Sequence, residues 1–265
     1  MQKVTVNVAV CPMMKAPDHK SERVDEALYG MELRIMKQMN EDWLYVLTDY
    51  AYEGYVRAED VFFDGYEGGK QTVMIHAADI LTEPETKAPV MLTVPMGAVV
   101  TDTGPSQNHY REILLADGRT GYIREKALGQ DSGTATGYDG SDLRQALAET
   151  AAGYMDVQYR WGGKSPWGID CSGLCFMAYR LNGITIFRDA SIHPDFPVKE
   201  ISLETLDKGD LLFFPGHVAM YITDGLFIHS SVANGGVAYN SLDPSSPLYL
   251  KHLHQNIRCA GSVLS

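Results

Sequence analysis

The chain has 265 residues, 45% of them hydrophobic and 21% charged, a make-up that fits a globular protein long enough for two or three domains. Its 22 basic residues against 34 acidic ones leave a formal charge of −12, which argues against nucleic acid or an anionic membrane as partner, because both need clustered lysine and arginine. No apolar run approaches the length of a membrane span, and Cys11, Cys171, Cys175 and Cys259 do not fall at zinc-site spacings, so reduced thiols in the cytoplasm are expected.

The first residues, Met1-Gln2-Lys3-Val4-Thr5-Val6-Asn7-Val8, alternate like a strand and contain no apolar core with a small-residue cleavage site, so no signal peptide is read. The expectation of a cytoplasmic protein would fail for a trimmed secreted one. Strand-like pieces follow at Val4 to Val10, Glu32 to Met39, Trp43 to Leu47 and Gly54 to Val56, separated by polar turns, which suggests a small barrel over residues 1–68. The segment from Trp43 to Val56 resembles the distal half of a bacterial SH3-like module. Tyr110 to Ile123 repeats its pattern, so residues 69–129 are expected to form a second such module. The polar, glycine-rich stretch 130–140 reads as a linker, and residues 141–265 as a further domain. That domain opens on a helix capped by Ser141 or Asp142, with Leu143, Ala146, Leu147 and Thr150 at helical spacing.

The most informative stretch comes next. Gly162, Gly163, Pro166 and Gly168 cannot sustain a regular helix or a central strand, so the chain must loop before Asp170, a good N-cap residue. Cys171 then falls in a first helical turn, where free amides and the helix dipole favour thiolate over thiol and make the sulfur a nucleophile near neutral pH. A lone cysteine more often packs as a small hydrophobe; here its partners decide. Gly216 to Ile222 reads as a strand with His217 at its start, and Phe227 to Ser230 as a strand carrying His229, joined by the Asp224-Gly225 turn signal. Such a hairpin brings the two histidines together, one to take the Cys171 proton and the other to hold the first in its working tautomer.

The blocks Asp170-Cys171-Ser172-Gly173, Gly209-Asp210-Leu211-Leu212-Phe213-Phe214, His217 to Ile222 and Phe227-Ile228-His229-Ser230 occur in the order seen in the NlpC-like cell-wall cysteine peptidases, which this region resembles from about Ser141 to Ser265. The resemblance implies a multidomain chain: two small all-β SH3-like barrels followed by an α+β papain-like catalytic domain with a Cys171, His217, His229 triad. It implies hydrolysis of murein-derived peptides containing D-glutamate by a monomer, with no metal and no cofactor. Tyr159 and Trp161 match the motif that lines the cleft near the oxyanion site, and Asp170 and Ser172, which flank the nucleophile, are counted with the substrate-binding residues. Within that family, the γ-D-glutamyl-L-diamino acid endopeptidases carry an Arg-Asp-(Ser or Ala)-Ser segment like Arg188-Asp189-Ala190-Ser191. The resemblance assigns Asp189, with Glu22 and Tyr52 of the first module, to the free amino group of an N-terminal L-alanine. Tyr55 is an alternative to Tyr52, and on its own Glu22 reads equally as a solvated loop charge.

The expected reaction is acyl transfer from the amide after D-glutamate of a short stem peptide to Cys171, then to water, in cell-wall peptide recycling. An exported peptidoglycan hydrolase using its SH3-like modules to hold the wall is the alternative. A non-catalytic wall-binding protein would not need the aligned cysteine and histidines, and another amidase of the same fold would not need Glu22 and Asp189. His19, His76, His109, His252 and His254 read as surface or packing residues, and the His252-x-His254 pair lacks the carboxylates or cysteines that would complete a metal site.

Overall fold

The computed structural model describes residues 2–63, 68–130 and 140–264, and the chain divides into two compact units, 1–131 and 132–265. Apart from its end residues, the linker expected at 130–140 lies outside the described residues.

The first unit is all β among its described residues apart from two single 3-10 turns. Its first sheet comprises β1 (Lys3–Val6), β2 (Val10–Met14), β3 (Arg23–Leu28), β4 (Glu32–Gln38), β5 (Trp43–Leu47), β6 (Glu53–Arg57) and β7 (Val61–Phe62). The second comprises β8 (Gly69–Val73), β9 (Ala77–Leu81), β10 (Val90–Pro95), β11 (Val99–Gln107), β12 (Tyr110–Leu114), β13 (Thr120–Arg124) and β14 (Leu128–Gln130). The strand orders, β3-β2-β6-β5-β4-β1-β7 and β10-β9-β13-β12-β11-β8-β14, are the same once each number in the first is raised by seven. The repeat seen between residues 43–56 and 110–123 is therefore a repeat of topology.

The strand expected at Val4 to Val10 is two strands. β1 pairs with β4 and β7, whereas β2 pairs with β3 and β6, so the chain must turn a corner at residues 7–9. Alternation in the sequence continues across that corner and hides it. Tyr29, at the end of β3, joins the apolar core of the second sheet, where its hydroxyl accepts the Ala116 amide at 3.0 Å. The Tyr29 carbonyl receives the Val99 amide at 2.8 Å, and a Cβ on Gly30, at φ 75°, would lie 1.7 Å from the Val99 carbonyl oxygen. Only glycine permits that approach.

The second unit contains α1 (Gly140–Ala152), a two-stranded ribbon of β15 (Lys164–Ser165) and β16 (Gly168–Ile169), and α2 (Cys171–Arg180). A six-stranded antiparallel sheet follows, built of β17 (Lys199–Ile201), β18 (Leu211–Phe214), β19 (His217–Thr223), β20 (Leu226–Ser231), β21 (Gly236–Ser241) and β22 (Cys259–Ser262), with a short α3 (Lys251–His254) before its last strand. Its order is β17-β22-β18-β19-β20-β21. Helix α1 packs Leu143, Leu147, Ala148 and Ala151 inward and lies on α2, which in turn lies on β19 and β20. From Cys171 to Tyr179 only Ser172 of α2 escapes burial, so this helix is enclosed on all sides and its position is set by its neighbours. No helix among the described residues is long and apolar enough to cross a membrane.

Candidate active site

The nucleophile helix begins where the sequence places it. Asp170 has extended backbone and accepts the Gly173 amide at 2.6 Å, the geometry of an N-cap. The same carboxylate accepts the Gly162 amide at 2.8 Å and the Ser172 hydroxyl at 3.2 Å, which fastens the loop of Arg160 to Gly163 onto the helix start. Gly173 packs so closely that a Cβ would sit 2.2 Å from the Gly163 carbonyl oxygen. The glycine after Cys171-Ser172 is thus a condition for loop and helix to meet.

Arg188, only 1% exposed, closes this cluster. Its Nη1 donates to Asp170 Oδ1 at 3.2 Å and to Ser172 Oγ at 2.8 Å, and its Nη2 donates to Asp170 Oδ2 at 3.3 Å and to the Gly163 carbonyl at 3.2 Å. Asp170, counted from the sequence with the substrate-binding residues, has its two oxygens on two backbone amides, a hydroxyl and a guanidinium. It holds the loop. Sequence patterns identified Arg188 only as the neighbour of Asp189; its pairing with Asp170 spans 18 residues and has no local signal.

Cys171 lies at the first position of α2, buried, with the amides of Val218 and Ser172 directed at its sulfur. Burial pushes its thiol up to about 11, the nearby Asp170 charge adds to that, and the two amides and Arg188 act in the opposite direction. The two amides act in the direction expected of a helix start, and burial, the larger effect, acts against them. The proton therefore has to leave when the sulfur attacks.

The group placed to receive it is His217. It opens β19, one residue before the Val218 amide that faces the sulfur, and burial followed by the neighbouring His229 and His252 pushes it down to about 4. A neutral imidazole at neutral pH is an available base. The Asp224-Gly225 turn, with φ of 45° and 78°, joins β19 to β20 and returns the chain so that His217 Nε2 lies 2.8 Å from His229 Nδ1. Beyond it, His229 Nε2 is 2.9 Å from Asn240 Oδ1, on β21, and 3.1 Å from Asn234 Nδ2. Neither asparagine was singled out from the sequence. The only signal available was their position in the turn and strand that follow His229.

Tyr159 is half-buried. Its backbone is held by the Gly235 carbonyl at 2.8 Å and by a bridge to Ile169, which brings it beside the start of α2. Burial, with the charge of Asp170 beside it, pushes its phenol up to about 12, so it remains a donor. Trp161 is 59% exposed on the adjoining loop. A shallow pocket lined by Ser172, Val218, Asp189, Ser191, Phe187 and Phe196, among others, runs from the residue after Cys171 to the exposed Asp189.

In the first unit, Glu22 is exposed at the β2–β3 turn and pairs with Lys15 at 3.0 Å, while Tyr52 is half-buried before β6 with its amide on Thr48 Oγ1 at 2.9 Å. Tyr55 stacks on Tyr45 with ring centroids 4.9 Å apart. Among the described residues no group of three or more His, Cys, Asp or Glu side chains is placed to hold a metal ion.

Comparison with known proteins gives these sites a context. Residues 156–258 match the NlpC/P60 family, and residues 13–61 match the bacterial dipeptidyl-peptidase SH3 domain. Dipeptidyl-peptidase 6 of Lysinibacillus sphaericus is 42% identical over 97% of this chain and 100% of its own length. A gamma-D-glutamyl-L-lysine dipeptidyl-peptidase of Bacillus cereus is 30% identical over 80% of this chain and 68% of its own. The crystal structure of an NlpC/P60 family protein from Bacillus cereus superposes with a TM-score of 0.83 over the whole of both chains at 22% identity, a likeness of fold.

Proposed function

Since the chain belongs to the NlpC/P60 family, we propose that it is a cysteine peptidase whose reacting groups are Cys171, His217 and His229. The observation that carries this reading is the 2.8 Å contact between the two histidines, beside the strand residue whose amide faces the Cys171 sulfur.

In this proposal the resting pair is a thiol and a neutral imidazole, the forms that burial favours for both groups. As the sulfur forms its bond to the substrate carbonyl carbon, the thiol proton passes to His217 and the carbonyl oxygen becomes an oxyanion. The backbone amides at the start of α2 and the Tyr159 hydroxyl are the donors proposed for that oxygen. Collapse breaks the C–N bond, and His217 returns the proton to the leaving amine. Water, deprotonated by the same imidazole, then releases the acyl group and restores the thiol.

The proposed substrate is a short murein stem peptide, L-Ala-γ-D-Glu-diamino acid, cut after D-glutamate in wall-peptide recycling by a cytoplasmic, monomeric enzyme. Asp189, at the edge of the pocket that begins at Ser172, is assigned the free α-amino group. The parts that the resemblance gives to Glu22, Tyr52 and Trp161 are proposed on that basis alone. The two like-ordered sheets of the first unit are read as tandem SH3-like barrels and the second unit as papain-like. Mass spectrometry of digests of synthetic stem peptides, free and N-acetylated, tests the proposal: the free tripeptide should yield L-Ala-D-Glu and the diamino acid. Cleavage of intact wall and of acetylated peptides at equal rates would favour the wall-binding alternative.

A further inference from the structure

We infer that Asn240 is a positioning residue that sets the tautomer of His229 and, through it, that of His217, so that the nitrogen left for the Cys171 proton is always a bare acceptor. This assignment rests on the reading of Cys171 and His217 as the reacting pair.

The chain of reasoning begins at the backbone. Asn240 is buried on β21, and its Nδ2 donates to the Leu248 carbonyl at 3.2 Å, which fixes the amide with Oδ1 turned the other way. Asn234 Nδ2 donates to that Oδ1 at 2.7 Å, in keeping with the orientation that the Leu248 carbonyl sets. An amide oxygen carries no hydrogen, so His229 Nε2, 2.9 Å away, must be the protonated nitrogen. A neutral imidazole has one N–H, hence His229 Nδ1 is a lone pair, and His217 Nε2, 2.8 Å from it, must donate. His217 Nδ1 is then without hydrogen and is the only ring nitrogen left for the thiol. The single N–H per ring holds at neutral pH because burial keeps both imidazoles below their usual range.

Asn234 gives the arrangement its consequence. Its Nδ2 lies 3.1 Å from His229 Nε2 as well as on Asn240 Oδ1. With the oxygen gone, that N–H becomes the nearest partner of Nε2 and favours the opposite tautomer. The hydrogen of His229 then moves to Nδ1, that of His217 to Nδ1, and the base presents a proton to Cys171 where it needs a lone pair. Loss of Asn240 should invert the relay, where loss of a packing residue would only loosen it. His252 on α3 acts on both rings, and on the side of α2 the charges of Asp170 and Arg188 act on Cys171.

Proton–nitrogen NMR of ¹⁵N-imidazole-labelled protein reads the tautomers directly, and needs no variant. Wild type should show Nε2–H on both rings. Asn240→Leu should show Nδ1–H and lose roughly 10²- to 10⁴-fold in kcat, the range of a general base, with KM within about twofold. Asn240→Asp keeps an acceptor on Nε2–H; it should hold kcat within about tenfold of wild type and move the acid limb of the rate profile to higher pH, since a carboxylate favours imidazolium. Nδ1–H on either ring of wild type, wild-type kcat in Asn240→Leu, or an unmoved acid limb in Asn240→Asp would overturn the assignment. If Asn240→Leu does not fold, the wild-type spectrum and Asn240→Asp decide. Full activity of Cys171→Ala would instead defeat the reading of the site while leaving the tautomer spectra as they are.

Discussion

Arg188 and Asp170 meet through both nitrogens and both oxygens, at 3.2 and 3.3 Å, in a site where the arginine is 1% exposed. The pair joins the segment that carries Asp189 to the loop that carries Tyr159 and to the start of the Cys171 helix. Two charges out of water are tolerated because each compensates the other. Arg188→Met should therefore leave the Asp170 charge without its counterion and cost about 3–5 kcal/mol in urea unfolding. Lysine cannot replace the fork that reaches Asp170, Ser172 and Gly163 together, so Arg188→Lys should recover only part of the loss. A stability unchanged in Arg188→Met would mean that the pair is not needed to hold the loop.

The second prediction concerns pH. Burial pushes His217 down to about 4 from the 6.5 of an unperturbed imidazole, and it displaces His229 in the same direction. Between those pH values the unfolded chain binds more protons, so this contribution to stability is fully present above about 6.5 and is lost as pH falls through about 4. Urea midpoints of wild type should fall across that window more steeply than those of His217→Ala. The same displacement predicts that kcat/KM holds well below pH 6.5 before protonation of His217 removes the base. Equal slopes for the two proteins would show that the imidazole is not desolvated as described.

A third prediction separates charge from shape in substrate choice. If Asp189 pairs with an ammonium, Asp189→Asn should lower kcat/KM on the free-amine peptide by roughly ten- to a hundredfold, the worth of a hydrogen bond to a charged group. N-acetylated peptide should be cut poorly by wild type, and the gap between the two peptides should narrow in Asp189→Asn. A gap that stays the same width would remove Asp189 from the recognition of the amine.

How much of this was legible in the chain depends on the range of the interaction. The N-cap at Asp170 and the left-handed Asp224-Gly225 turn are each written in adjacent residues, and the hairpin that this turn closes sets His217 against His229, all in turn and cap chemistry that sequence displays openly. The repeat between Trp43 to Val56 and Tyr110 to Ile123 was visible too, because matching strands keep matching alternation. What failed to show was whatever the tertiary structure imposes. The corner at residues 7–9 exists because β1 and β2 serve different neighbours. The Cys171 thiol is governed by enclosure under the sheet more than by its helix start, and enclosure has no signature in the motif around it. Arg188 acts on a residue that the fold, and not the spacing, brings to it, while Asn234 and Asn240 follow His229 closely in the chain but sit in no motif that marks them.

The measurement that tests the central claim most directly is turnover of the free L-Ala-γ-D-Glu-diamino acid tripeptide by single alanine variants of Cys171, Cys175 and Cys11, each shown to be folded. Cys175 and Cys11 are fully buried, and enclosure raises both thiols, so neither is expected to react. Cys171→Ala should show no turnover, while Cys175→Ala and Cys11→Ala release L-Ala-D-Glu. Turnover surviving in Cys171→Ala, or abolished in folded Cys175→Ala or Cys11→Ala, would contradict the account.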